Sequence, residues 1–162
     1  MHARRDIRII SGGQTGSDRG ALMAALDRGV PCGGWCPADR KAEDGLIPSI
    51  YPVRELANAD YPERTLRNVL DSDATCIIRF TTVDAGSKLA AAACRREKKP
   101  YLYLDAHDTD TDEAGVQLLA FIRENDITVL NVSGPRASAH PAAASWTRTV
   151  VRQCLSDIQA RR

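Results

Sequence analysis

The residues best placed to do chemistry form one stretch, Arg8-Ile9-Ile10-Ser11-Gly12-Gly13-Gln14-Thr15-Gly16-Ser17-Asp18. An apolar run ends in glycines, and a helix-like pattern begins at once. Gly12, Gly13 and Gly16 lack a β-carbon, so the backbone there can take φ > 0 and approach a ligand closely. A helix starting near Ser17 would aim its free N–H groups and the positive end of its dipole at the turn. That layout binds anions such as phosphate, with Gln14, Thr15 and Ser17 joining the three glycines. The spacing is not the dinucleotide pattern G-x-G-x-x-G, and no Lys-Ser/Thr follows as in a P-loop. A plain strand-to-helix turn capped by Ser17 is the competing reading. Three glycines exceed what such a turn needs. Asp18 suits the helix dipole but repels an anion, so it is assigned to a hydrogen-bond donor of a ribose or pterin.

Two later stretches repeat the theme. Asp84-Ala85-Gly86-Ser87 ends a second apolar run, and the amides of Gly86, Ser87 and Lys88 are candidates for the same phosphate. Ser133-Gly134-Pro135-Arg136 ends a third, where Gly134 permits close approach and Arg136 adds a fork of donors. The charged cluster Arg40-Lys41-Ala42-Glu43-Asp44-Gly45 lies in a long irregular segment. There Arg40 is a ligand candidate, and Glu43 and Asp44 are candidates for general acid–base work; solvated loop charges are the alternative. Arg64 and Asn68, four apart, share a helix face that could look into the same crevice.

Metal and thiol chemistry find less support. Cys32, Cys36, Cys76, Cys94 and Cys154 make an odd count with no disulfide framework. Only Cys32 and Cys36 are close, and no second Cys or His pair completes a zinc site, so no metal ligand is assigned. The acidic run from Asp105 to Glu113 lacks the glycine and the terminal glutamate of a calcium loop and reads as a polar loop ending in a helix cap.

The elements that must position these residues alternate along the chain. Strands are expected at Ile7–Ser11, Pro31–Trp35, Ala74–Phe80, Pro100–Leu104 and Ile127–Val132. Helices are expected over Ser17–Arg28, from an Asp60 cap through Leu70, over Lys88–Glu97 and Glu113–Glu124, and along the stripe Trp146, Val150, Val151, Cys154, Leu155 and Ile158. Asp60, Pro62 and Glu63 have the spacing of a capping box with proline in the first turn. Between Cys36 and Asn58, Pro37, Gly45, Pro48 and Pro52 rule out one regular element.

Alternating strands and helices predict a three-layer α/β/α domain with a mostly parallel five-stranded sheet. The expected order is 2-1-3-4-5, with ligands outside the carboxyl ends of strands one and three. The loop after strand five is expected slightly further away. With 162 residues, a single domain covering 1–162 is expected. A net charge of +1 offers no global field for nucleic acid or a membrane surface. No apolar run nears the ~20 residues of a spanning helix, and no signal-peptide core precedes the first strand. The expected location is cytoplasmic.

Several motifs occur together in order: Gly12-Gly13-Gln14-Thr15-Gly16 with Asp18-Arg19, Gly33-Gly34-Trp35-Cys36-Pro37, Ala42-Glu43-Asp44-Gly45, Tyr61 with Arg64-Thr65 and Asn68, Asp71-Ser72-Asp73-Ala74, and Asn131-Val132-Ser133-Gly134-Pro135-Arg136. In these the chain resembles the putative molybdenum carrier family, from about Ile9 to Trp146. That family belongs to a Rossmann-like group that includes the lonely-guy-type phosphoribohydrolases. The resemblance implies a phosphate-bearing ligand, either molybdenum cofactor (a pterin with a phosphate) or a nucleotide, and a homo-oligomer, dimer or tetramer. The phosphoribohydrolases carry a Pro-Gly-Gly-x-Gly-Thr-x-x-Glu loop; the matching stretch here puts Ala90 where the catalytic acid would stand. The expected function is therefore binding and carriage of such a ligand. The alternatives are a nucleotide-processing hydrolase or transferase using Glu43 or Asp44, and a nucleotide-sensing regulatory module.

Overall fold

The computed structural model describes residues 6–161. In chain order these form β1 (Arg8–Ile10), α1 (Ser17–Asp27), β2 (Cys32–Gly33), β3 (Trp35–Cys36), β4 (Lys41–Ala42), β5 (Gly45–Leu46), β6 (Arg54–Glu55), α2 (Tyr61–Leu70), β7 (Ala74–Arg79), α3 (Ala85–Glu97), β8 (Tyr101–Asp105), α4 (Thr111–Glu124), β9 (Val129–Ser133) and α5 (Ala143–Ala160). Acidic caps decide where three of the helices begin. Asp60 and Glu63 close a reciprocal capping box at α2, with Pro62 in its first turn. Asp84 accepts from the Ser87 amide and Asp110 from the Glu113 amide, so α3 and α4 start earlier than the apolar periodicity alone suggests. The acidic run before α4 is thus a turn and a cap: Asp105 Oδ1 accepts from the amides of His107 and Asp108.

The main sheet is five-stranded, parallel throughout, and ordered β2-β1-β9-β7-β8. This corrects the expected order: the last strand lies between the first and the third. Leu130, Asn131 and Val132 are all almost fully buried, as a strand covered on both faces must be. Asp73, just before β7, holds the start of β9 in place. Its Oδ2 accepts from the amides of Thr128 and Val129 and from the Thr128 hydroxyl, at 2.8–2.9 Å. Deeper in, Asn131 Nδ2 donates to Thr75 Oγ1 across the buried β9–β7 pair.

Right-handed crossovers then fix the layers. Connections running one way along the sheet use α1 and α4, and those running back use α2 and α3. Accordingly α5 packs on α1 and α4, while α2 packs on α3. Each face has its own core: Ile9, Ala21, Leu118, Val150 and Leu155 on the first, Val69, Ile77, Ala90, Ala91 and Cys94 on the second. Counted from β9, the order reads 3-2-1-4-5, the doubly wound arrangement, and its switch point falls between β9 and β7. The Ser133–Arg136 loop therefore stands at the centre of the sheet's edge rather than further away.

The segment from Cys36 to Asn58 is not one regular element, as expected. The expected second strand breaks in two at Gly34, and β3 leaves the main sheet to pair with β6. β4 and β5 form an antiparallel hairpin with Glu43 and Asp44 at its tip. Arg40 staples the segment: its three nitrogens donate to the carbonyls of Ile47, Pro48, Tyr51 and Val53. Ile47 and Val53 are buried beneath, against Leu22 and Cys36. Among the described residues no helix is long and apolar enough to cross a membrane.

Candidate functional site

A cavity of about 510 Å³ opens at the switch point. It is lined by Gln14 and Asp18 from the first loop, Tyr61, Pro62, Arg64 and Thr65 from α2, Asp84, Ala85, Gly86 and Leu89 from the start of α3, and Ser133, Gly134, Arg136 and Ala139 after β9. The three polar loops singled out in the sequence therefore do meet, and the first turn of α2 forms a fourth wall.

The floor is an ion pair. Arg64 Nη1 donates to Asp18 Oδ2 at 3.0 Å, and both side chains are largely buried. The guanidinium lies directly over Gly12, where a β-carbon would stand 1.3 Å from Nη1, so any larger residue here must displace the Arg64 tip. Burial pushes the Asp18 carboxyl above the ordinary carboxylate range, against the opposing pull of Arg64 and of the Gln14 amide. That amide donates to Asp18 Oδ2 at 3.1 Å. The Thr15 amide donates to Gln14 Oε1 and the Ser17 amide to the Pro135 carbonyl. Gly16 holds the last contact: at φ 84° its α-carbon sits where a β-carbon would come 2.3 Å from Pro135 O. Several of the amides expected to seat a phosphate are thus engaged within the protein. The same holds at α3, where Ser87 N and Lys88 N bond Asp84 and the Lys88 side chain is exposed outside the lining.

Positive charge in the cavity comes from side chains instead. Arg136 is about half exposed, and its nearest carboxylate, Glu43, is 4.0 Å away. Three cations surround the Tyr61 ring, with Lys41, Arg136 and Arg64 at 5.3, 5.8 and 5.9 Å from its centroid. Pro62, Ala85, Leu89 and Ala139 supply an apolar wall. Tyr61 was missed as a site residue by the sequence reading. Its position three before Arg64 puts both on one helix face, and that spacing was the available signal.

Glu43, Asp44, Arg40 and Asn68 lie outside the lining. Glu43 is a clasp: it accepts from the Thr15 hydroxyl and from the amide and hydroxyl of Ser138, and its own amide donates to Gln14 Oε1. Hydrogen bonds from Ser138 and Thr15 hold its carboxyl below the usual range. Asp44 pairs bidentately with Arg19 at 2.6 and 2.8 Å, which likewise lowers its pKa. Both acids are ionised and engaged. Asn68 bonds the amide and carbonyl of Trp35, fixing β3 against α2. The cysteines are free thiols; burial raises Cys32 and Cys36 and pushes Cys154 up to about 12, so they pack rather than react.

A doubly wound α/β domain, with its cavity at the switch point and a central strand contributed last, is the class that fold and site define. The chain belongs to the circularly permutated YpsA SLOG family, whose sequence model matches residues 9–155. The permutation in that description agrees with a sheet that reads in doubly wound order only when β9 is counted first. A solved structure described as a putative molybdenum carrier protein, from Syntrophus aciditrophicus, is 38% identical, covers 93% of this chain and 96% of its own, and superposes with a TM-score of 0.89. No curated protein matches the chain.

Proposed function

We propose that this protein binds and carries a phosphate-bearing small molecule with a flat heterocycle, molybdenum cofactor or a nucleotide, in the cavity between β9 and β7. The carrying observation is the pairing, in one cavity, of guanidinium charge with an aromatic and apolar wall. About 510 Å³ is the size of a small-molecule site. Arg136 meets its nearest carboxylate, Glu43, only at 4.0 Å and offers a planar fork to a phosphoryl group. Arg64 supplies a second cation from below. Tyr61, Pro62 and Leu89 offer a surface on which a ring can lie. The molybdenum carrier description of the similar structure supports the pterin cargo. Carriage is favoured over hydrolysis because Glu43 and Asp44 are spent on clasping the hairpin, away from the lining. The protein would work in the cytoplasm as a homo-oligomer.

The test is calorimetric titration of the purified protein with molybdenum cofactor, AMP and inorganic phosphate. Saturable binding of at least one, weakened tenfold or more by Arg136→Ala, supports the reading. No binding heat with any of the three rejects it. Light scattering of the same samples reports the assembly.

A further inference from the structure

Gln14 is 6% exposed and lines the cavity. Its Oε1 accepts two backbone N–H groups, Thr15 at 3.1 Å and Glu43 at 3.0 Å. Turning the amide over would set its NH₂ against two donors, so those two bonds fix the orientation. The Glu43 amide cannot drift away, because the Glu43 carboxylate is clasped by Thr15 and Ser138. Nε2 is then left buried with no partner among the described residues. Arg64 Nε, on the same cavity, is in the same state. Buried polar groups are nearly always paired, and two unpaired donors at one cavity ask what pairs them.

We infer that Gln14 is a specificity-determining residue: its locked NH₂ requires an acceptor, and the ligand group it selects is an anionic phosphoryl oxygen. This rests on the binding reading above. Both unpaired groups are N–H donors, and Arg136 adds only donors. An oxygen bearing charge and lone pairs satisfies all of them. A ring amine or a protonated ring nitrogen placed against Gln14 Nε2 and Arg64 Nε would leave both of them unpaired, and that mismatch is how a polar site discriminates.

The full chain carrying Gln14→Glu tests this. Glutamate has the same shape and still accepts from Thr15 and Glu43, but it presents an oxygen where Nε2 was. Calorimetry with AMP, inorganic phosphate and adenosine is read beside the ligand-free melting temperature. We expect AMP and phosphate to bind at least tenfold more weakly and adenosine binding to be unchanged, with the fold retained. In the wild-type chain, the side-chain NH₂ resonances of Gln14 should move downfield on adding AMP or phosphate. That measurement decides the matter if the variant does not fold. Wild-type binding of AMP with Gln14→Glu within twofold of it, or with unmoved Gln14 NH₂ signals, overturns the inference and leaves the binding reading standing. Failure of the wild type to bind any of the three probes overturns both.

Discussion

Gly12→Ala probes the floor of the cavity without removing a polar atom. The added methyl would stand 1.3 Å from Arg64 Nη1 and 2.3 Å from Cζ, so the guanidinium must leave. Its departure strands Asp18, which is 4% exposed. Breaking a buried pair by removing one partner costs about 3–5 kcal/mol. Arg64 can swing into water and Asp18 can take up a proton, so we expect a loss at the lower end, about 3 kcal/mol. For a domain of this size that is a drop of roughly 6–12 °C in melting temperature. The pH dependence gives a second reading. Burial already raises the Asp18 pKa in the folded state, and such a carboxyl loses stability as pH rises through its folded value. Without Arg64 that value rises further. The gap between variant and wild type should therefore widen as pH rises above the ordinary carboxylate range and narrow on acidification. Thermal melts at a series of pH values are the assay. A variant melting within 1 °C of wild type, or a gap independent of pH, refutes the argument.

Three further outcomes follow from other sites. Gly115 is buried in α4, yet a β-carbon added there would meet nothing closer than 3.8 Å, so Gly115→Ala should raise stability by up to about 1 kcal/mol through helix propensity alone; an unchanged or lowered melt counts against it. Asp73→Ala removes three hydrogen bonds at the start of β9 and should cost roughly 1–3 kcal/mol in denaturant titration. Burial raises the Asp73 pKa, but the bonds from Val129 and Thr128 outweigh it and the net shift is downward, so its contribution is present above the unfolded value near 3.9 and is lost as pH falls below it. Glu43→Gln should loosen the hairpin tip, read as faster amide hydrogen exchange at residues 41–46. Because the Glu43 pKa is also lowered, wild type should show the same loosening only below about pH 4.5.

Local signals carried much of this molecule. The Asp60-Pro62-Glu63 cap, the buried run before Phe80 and the three polar loops could be read because each depends on neighbours a few residues away. Strand order could not, because it depends on which partners a strand meets across the whole chain. The alternation shows β9 as a strand, yet its seat between β1 and β7 rests on Asp73 bonding residues 55 and 56 positions away. The candidate site divides along the same line. Arg64 and Asn68 look equivalent at a spacing of four, but one meets Asp18 and the other meets the Trp35 backbone. Nor does a glycine-rich turn disclose that its amides face Asp18, Gln14 and Pro135, which leaves the guanidinium groups as the cavity's positive charge.

The central place of β9 bears on how the protein is made. As the ribosome releases the chain, β1, β2, β7 and β8 are all made before β9, the strand that lies between the β2-β1 and β7-β8 pairs. Only when the segment after Asp126 is out can one strand zip both halves together, a long-range pairing of the kind that slows folding and leaves edges open to wrong partners. A nascent chain stalled before that point lacks the Ser133, Gly134, Arg136 and Ala139 wall, so the cavity is completed in the same step as the sheet.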